Sequence, residues 1–105
     1  MAWLMLLVAG LFEVVWAVGM KYSAGFTRLW PSIITFVGAI VSFVLLSAAM
    51  RSIPLGTAYT VWTGIGAVGA FVAGVVMLGE QLNTMRVTAA VLIVCGLVMM
   101  KLSAD

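Results

Sequence analysis

The chain has 105 residues, of which 66% are hydrophobic and only 8% charged, with a net charge of +2. A soluble domain averages about 25% charged and roughly 45–50% apolar residues, so this composition excludes an ordinary soluble domain, and its high apolar content excludes disorder. The five basic residues are spread along the chain, which leaves no nucleic-acid footprint, and with no His and one Cys neither a His-based metal site nor an intrachain disulfide is available.

The first apolar stretch runs from Trp3 to Met20, broken only by Glu13, and gives a span over about 3–21. It lacks a basic leading region, so it reads as a span and not as a signal peptide. The second covers 31–50 and the third 55–78. The fourth, 85–102, has a short apolar part between Arg86 and Lys101, whose side chains can snorkel to the interfaces. A span needs about 20 apolar residues, and a helix satisfies its own backbone in lipid. The expected fold is therefore all-α: four transmembrane helices in a single membrane domain, 1–105. Pro31 and Pro54 stand where helices begin, and Trp3 and Trp30 are interface anchors. Cys95 lies within the fourth apolar run and is expected to be a buried small hydrophobe.

With four spans, both termini and the second loop share one side. That side carries Arg51 and Lys101; the other carries Lys21, Arg28 and Arg86. The difference is one basic residue, so the positive-inside rule gives almost no bias. Either a weak bias fixes one topology, or copies insert both ways. A chain this small also leaves little room for a lined cavity. Dual topology would permit an antiparallel dimer, with the symmetry that inverted-repeat transporters build within one chain.

Glu13 is the one acid inside a span. It lies ten residues beyond Trp3, about 15 Å along a helix, near the bilayer midplane. A charge there is costly and normally marks a functional path. A carboxyl in that setting can take up a proton or, ionised, bind a cation. Competition at one site is the simplest way to exchange the two. Gly10, Trp16 and Ala17 share its face at three- and four-residue offsets. Gly10 leaves room beside the carboxylate, and Trp16 offers an aromatic face and an N–H.

In the third span Tyr59, Trp62, Thr63 and Gly66 form a second stripe. Aromatic faces attract cations, more strongly when desolvated. Ser42 of the second span stands near mid-depth, within reach of Glu13, although a serine there often bonds its own helix. Ala39, Ile40 and Phe43 on the same helix are candidates for a side opening. Gly64 and Gly66 follow the aromatic stripe, where they serve either static packing or a bend. Ala89 and Gly96, seven apart on the fourth helix, suit a helix–helix seam.

These residues resemble the small multidrug resistance transporters. The resemblance covers nearly the whole chain and is carried by GLFEVVWAVGMKYSAGFTRLWPS at 10–32 and IPLGTAYTVWTGIGAVGA at 53–70. Glu-Val-Val-Trp-Ala at 13–17, Gly-Thr-Ala-Tyr at 56–59 and Trp-Thr-Gly-Ile-Gly at 62–66 are similar to the guanidinium-exporter subtype; the broad multidrug subtype typically has a small residue in place of Trp16. The resemblance implies a proton antiporter of the bacterial inner membrane, working as an antiparallel, dual-topology homodimer whose two glutamates share one site. It implies that Glu13 binds substrate and proton. Trp16, Ser42, Tyr59 and Trp62 would line and order the site, with Gly10 and Thr63 at its edge. Gly64 and Gly66 would permit a bend, and Ala89 and Gly96 would pack the dimer. No cofactor or metal is implied.

The expected function is thus export of guanidinium and small substituted guanidinium ions in exchange for protons. Guanidinium suits the residues: it is planar and cationic, and pairs with a carboxylate through two parallel N–H groups. The alternative is a polyspecific exporter of quaternary ammonium and other lipophilic cations. A third reading, from another class, is a non-transporting membrane subunit that uses Glu13 as a helix contact. An enzyme is not indicated, because no nucleophile–base pair or metal-ligand set is visible.

Overall fold

The computed structural model describes residues 1–104, and they form four helices: α1 Ala2–Tyr22, α2 Leu29–Ala49, α3 Leu55–Leu78 and α4 Thr84–Ala104. At about 1.5 Å per residue, 21 residues reach about 31 Å, the thickness of a hydrocarbon core. All four helices are long and apolar enough to cross a membrane.

The helix ends follow from local chemistry. α2 starts two residues before Pro31, because the first turn of a helix has no internal use for its N–H groups and a proline there removes nothing. Pro54 is the residue just before α3. Asn83 opens α4: its Oδ1 accepts the backbone N–H of Arg86 at 2.9 Å. α3 stops at Gly79, whose φ of 66° is one that a glycine adopts freely.

The turn between α1 and α2 is built on Ser23, which is fully buried. Its Oγ donates to the Met20 carbonyl at 2.6 Å and accepts the Phe26 N–H at 3.0 Å. Its own carbonyl accepts the N–H groups of Thr27 and Arg28 at 2.9 and 3.1 Å. These bonds hold Ala24, Gly25 and Phe26 in a row at positive φ, of 50°, 74° and 66°. Two of the three are not glycine, and such a conformation is costly for L-residues. Phe26 is offset by its ring contact with Phe36 of α2, at 5.6 Å between centroids.

In space the order is α2–α1–α3–α4. α1 packs along both α2 and α3, α4 packs on α3, and α2 and α3 meet only briefly. The result is a slab with extents of 42 × 35 × 17 Å. Its small core gathers Leu6 and Ala9 of α1, Leu46 and Ala49 of α2, Ile53, and Ala58, Val61 and Trp62 of α3. Among its described residues α4 has none that is buried, and Cys95, expected to be buried, is exposed on it. The sequence expectation fails here because an apolar run can face lipid or a partner as well as a core.

Ser23→Ala removes both side-chain bonds of the α1–α2 turn. It should lower the unfolding free energy by about 1–2 kcal/mol, read from equilibrium unfolding in mixed detergent micelles.

Candidate functional site

Glu13 stands one residue past the middle of α1. Its carboxyl lies against Gly66 of α3, in space that any side chain would occupy: a Cβ on Gly66 would overlap the Glu13 carboxyl group. One turn further along, Val14 lies in the same way against Gly69. Glycines of α3 thus bring it onto α1 where Glu13 projects, as small residues do between membrane helices. On the other flank, Gly38 of α2 lets Trp16 approach, with a Cβ there standing 3.2 Å from the Trp16 Cβ.

The carboxyl makes no ion pair among the described residues, and its Oε1 is buried without a hydrogen-bond partner among them. The same holds for the indole Nε1 of Trp16. An acceptor and a donor, both unsatisfied and one helical turn apart, are costly to leave so. Among the described residues these are the two such buried side-chain atoms: a proton or a cation with N–H groups can satisfy the carboxyl oxygen, whereas the indole N–H needs an acceptor.

Beside them is a fully satisfied network. The Ser42 hydroxyl, completely buried, donates to the Ala9 carbonyl at 2.7 Å and accepts from Trp62 Nε1 at 2.9 Å. Ser42 therefore ties α2 to α1 and α3 at one point. It bonds neither Glu13, within whose reach the sequence placed it, nor its own helix backbone. Its partner is instead the carbonyl one turn before Glu13, the backbone acceptor of α1 that faces α2.

Four rings run through the region in a chain. Trp16 meets Phe43 edge-on at 6.3 Å, Phe43 meets Trp62 at 5.9 Å, and Trp62 meets Tyr59 at 5.3 Å. Phe43, read from sequence as part of a side opening, here links the two indoles.

The other expected residues are distributed unevenly. Gly10 does not leave room beside the carboxylate: Ile65 fills that space, with its Cβ 2.7 Å from where a Gly10 Cβ would be. The third-span stripe divides, because four residues spread over about 100° of helix cannot all face one neighbour. Trp62 and Gly66 are buried, whereas Tyr59 is 52% exposed and Thr63 is exposed. Tyr59, Thr63 and Gly64 line a cavity of about 840 Å³ between α3 and α4, together with Gly96, Leu97 and Met100. Gly64 makes way for Leu97, while Gly96 faces open space. Ala89 lines a smaller hollow of about 160 Å³ beside Phe71 and Arg86. Sequence reasoning missed Ala9 and Ile65; a backbone carbonyl carries no side-chain signal, and Ile65 is one apolar residue among many.

Such a protein is a small four-helix membrane transporter, with one intramembrane carboxyl seated against a glycine of the neighbouring helix. The chain belongs to the Small Multidrug Resistance protein family, whose family model matches residues 1–94. It is 59% identical over 103 residues to the guanidinium exporter of Escherichia coli (strain K12), with 98% of each chain covered. It is 58% identical, over the same length and coverage, to the guanidinium exporters of Citrobacter freundii and Salmonella typhimurium. The protein is a multi-pass component of the bacterial inner membrane.

Ser42→Ala leaves the Trp62 N–H buried with no acceptor, a loss of about 1–3 kcal/mol. The Trp62 indole resonance in a proton–nitrogen correlation spectrum should move upfield, and Ser42→Thr should largely restore it.

Proposed function

We propose that this chain exports guanidinium and small substituted guanidinium ions, and that a proton and the substrate compete for Glu13. The observation that carries this reading is the Glu13 carboxyl itself, set against Gly66 at the middle of α1 with an oxygen buried and unpartnered. The relatives described as guanidinium exporters supply the substrate class.

A protonated carboxyl at this depth carries no charge, and an ionised one can hold a cation. A guanidinium ion replaces that proton, because its paired N–H groups fit the two carboxylate oxygens and its flat face fits the Trp16 indole one turn away. Ser42 acts on Trp62, fixing the indole through its Nε1. Phe43 spaces Trp62 from Trp16. In this reading the protein is a carrier, as the relatives described as exporters are, and transport involves no covalent step.

The working unit in this reading is an antiparallel homodimer of chains inserted both ways, with two copies of Glu13 sharing one site. Support comes from the near-even distribution of basic residues and from α4. Among its described residues α4 buries none, and it presents Ala89 and open Gly96 on its surface. Gly64 and Gly66 are the positions where α3 would bend.

The deciding experiment is guanidinium-driven proton movement in liposomes that hold only this chain. Wild type should couple the two, and Glu13→Gln should abolish coupling. Absence of coupling in folded wild type would refute an autonomous antiporter. Because the proton competes for the carboxyl, apparent guanidinium affinity should fall as pH falls, by up to about tenfold per unit where one proton is displaced, with binding measured from pH 9 down to pH 5.

Trp16 should set selectivity. The Glu13 carboxyl is an acceptor that a cation without N–H groups leaves poorly paired, and the Trp16 indole, a donor, restricts the room beside it. Trp16→Gly should admit quaternary ammonium ions and weaken the preference for guanidinium about tenfold or more, measured as competition in the same liposomes.

A further inference from the structure

The connection between α3 and α4 carries a set of contacts that the Glu13 site does not use. After Gly79 the chain turns back, and the Glu80 N–H donates to the Gly74 carbonyl at 3.1 Å. The Glu80 carboxylate then lies over Gly74: a Cβ there would stand 2.7 Å from its Cδ and Oε2.

Arg86, in the first turn of α4, reaches the same place from the other side. Its guanidinium donates to Glu80 Oε1 at 3.3 Å and to the Gln81 carbonyl at 2.8 Å. It also lies over the Phe71 ring, 5.2 Å from the centroid. The backbone of Arg86 is fixed in turn by the Asn83 cap.

Phe71 and Gly74 belong to α3 beyond Gly66, and Arg86 belongs to α4. Beneath the guanidinium the two helices are separated by the hollow lined by Ala67, Phe71, Ala89 and Ile93. The link here is therefore polar and aromatic, not dense apolar packing. Each contact is weak alone at a half-exposed position, but all converge on one rigid planar group. A lysine would bring one compact ammonium, whereas the guanidinium offers N–H edges to the carboxylate and the carbonyl and a flat face to the ring.

We propose that Arg86, held by Glu80 and Phe71, is a positioning residue that joins the C-terminal half of α3 to the start of α4. The two then travel as one body when α3 bends at Gly64 and Gly66. This rests on the proposed transport function and on α3 as its moving element.

The test uses the full chain in liposomes, with guanidinium-driven turnover and guanidinium binding measured side by side. Binding is read from tryptophan fluorescence. Arg86→Gln should lower turnover about three- to tenfold while the binding constant stays within about twofold, the signature of a residue that acts on a step after binding. Arg86→Lys should fall short of wild type. The charge swap of Glu80→Arg with Arg86→Glu should recover part of the lost turnover. Gly74→Ala displaces the Glu80 carboxylate without changing charge and should slow turnover too, which covers an Arg86→Gln chain that fails to fold.

Wild-type turnover in Gly74→Ala, or in folded Arg86→Gln, would overturn the proposal. So would binding lost in step with turnover, or a swap with no recovery. Failure of the underlying transport reading looks different: Glu13→Gln would then bind guanidinium like wild type.

Discussion

An acid in the middle of a membrane helix needs a place to put its carboxyl. In this protein that place is the missing side chain of Gly66. The rest of the arrangement follows from seating one costly group. α3 has to come onto α1 closely enough to cover it, which Gly66 and Gly69 allow. α2 has to close the other flank, which Gly38 allows beside Trp16. The carboxyl is then half-buried, with Oε1 covered and without a hydrogen-bond partner among the described residues. In the proposed exchange this is where a proton and a cation compete.

Around that group the polar interior is divided into two parts. One is closed: Ser42, Trp62 and the Ala9 carbonyl satisfy one another, and they lock three helices at a single point. The other is open: Glu13 Oε1 and Trp16 Nε1 have no partner among the described residues. A satisfied network rigidifies its surroundings, whereas an unsatisfied pair invites a ligand. Rigid walls beside unpaired atoms are what a selective site requires. The aromatic chain from Trp16 through Phe43 and Trp62 to Tyr59 connects the two parts.

Much of this was legible in the sequence, for reasons that differ by residue. Four spans could be read because lipid imposes length and apolarity on every one of them. Glu13 could be read because a lone acid in a span has few other uses. The direction in which each neighbour faces was harder. The Tyr59–Gly66 stripe is as wide as a helix face, and only packing decides that Trp62 and Gly66 turn inward while Thr63 faces the α4 side. Gly10 looked like space beside the carboxylate, yet Ile65 occupies it, since an empty pocket in an apolar interior forfeits contacts. Ser42 was visible as polar, but its acceptor is a backbone carbonyl, which no sequence pattern marks. The clamp of Arg86 on Glu80 and Phe71 depends on a chain reversal at Gly79, and the charges alone gave no hint of it.

The thinness of the slab has a thermodynamic consequence. At 17 Å in its shortest dimension the chain has almost no interior, and its largest fully buried side chains are Leu6, Ser23 and Ser42. Little of its folding free energy can come from contacts within one copy. Any second copy that packs on a broad face adds its own binding free energy to the stability of the fold. In the proposed dimer, dilution in lipid then acts against assembly: the ratio of protein to bilayer sets how many copies are paired, while the four helices keep their own backbone bonds.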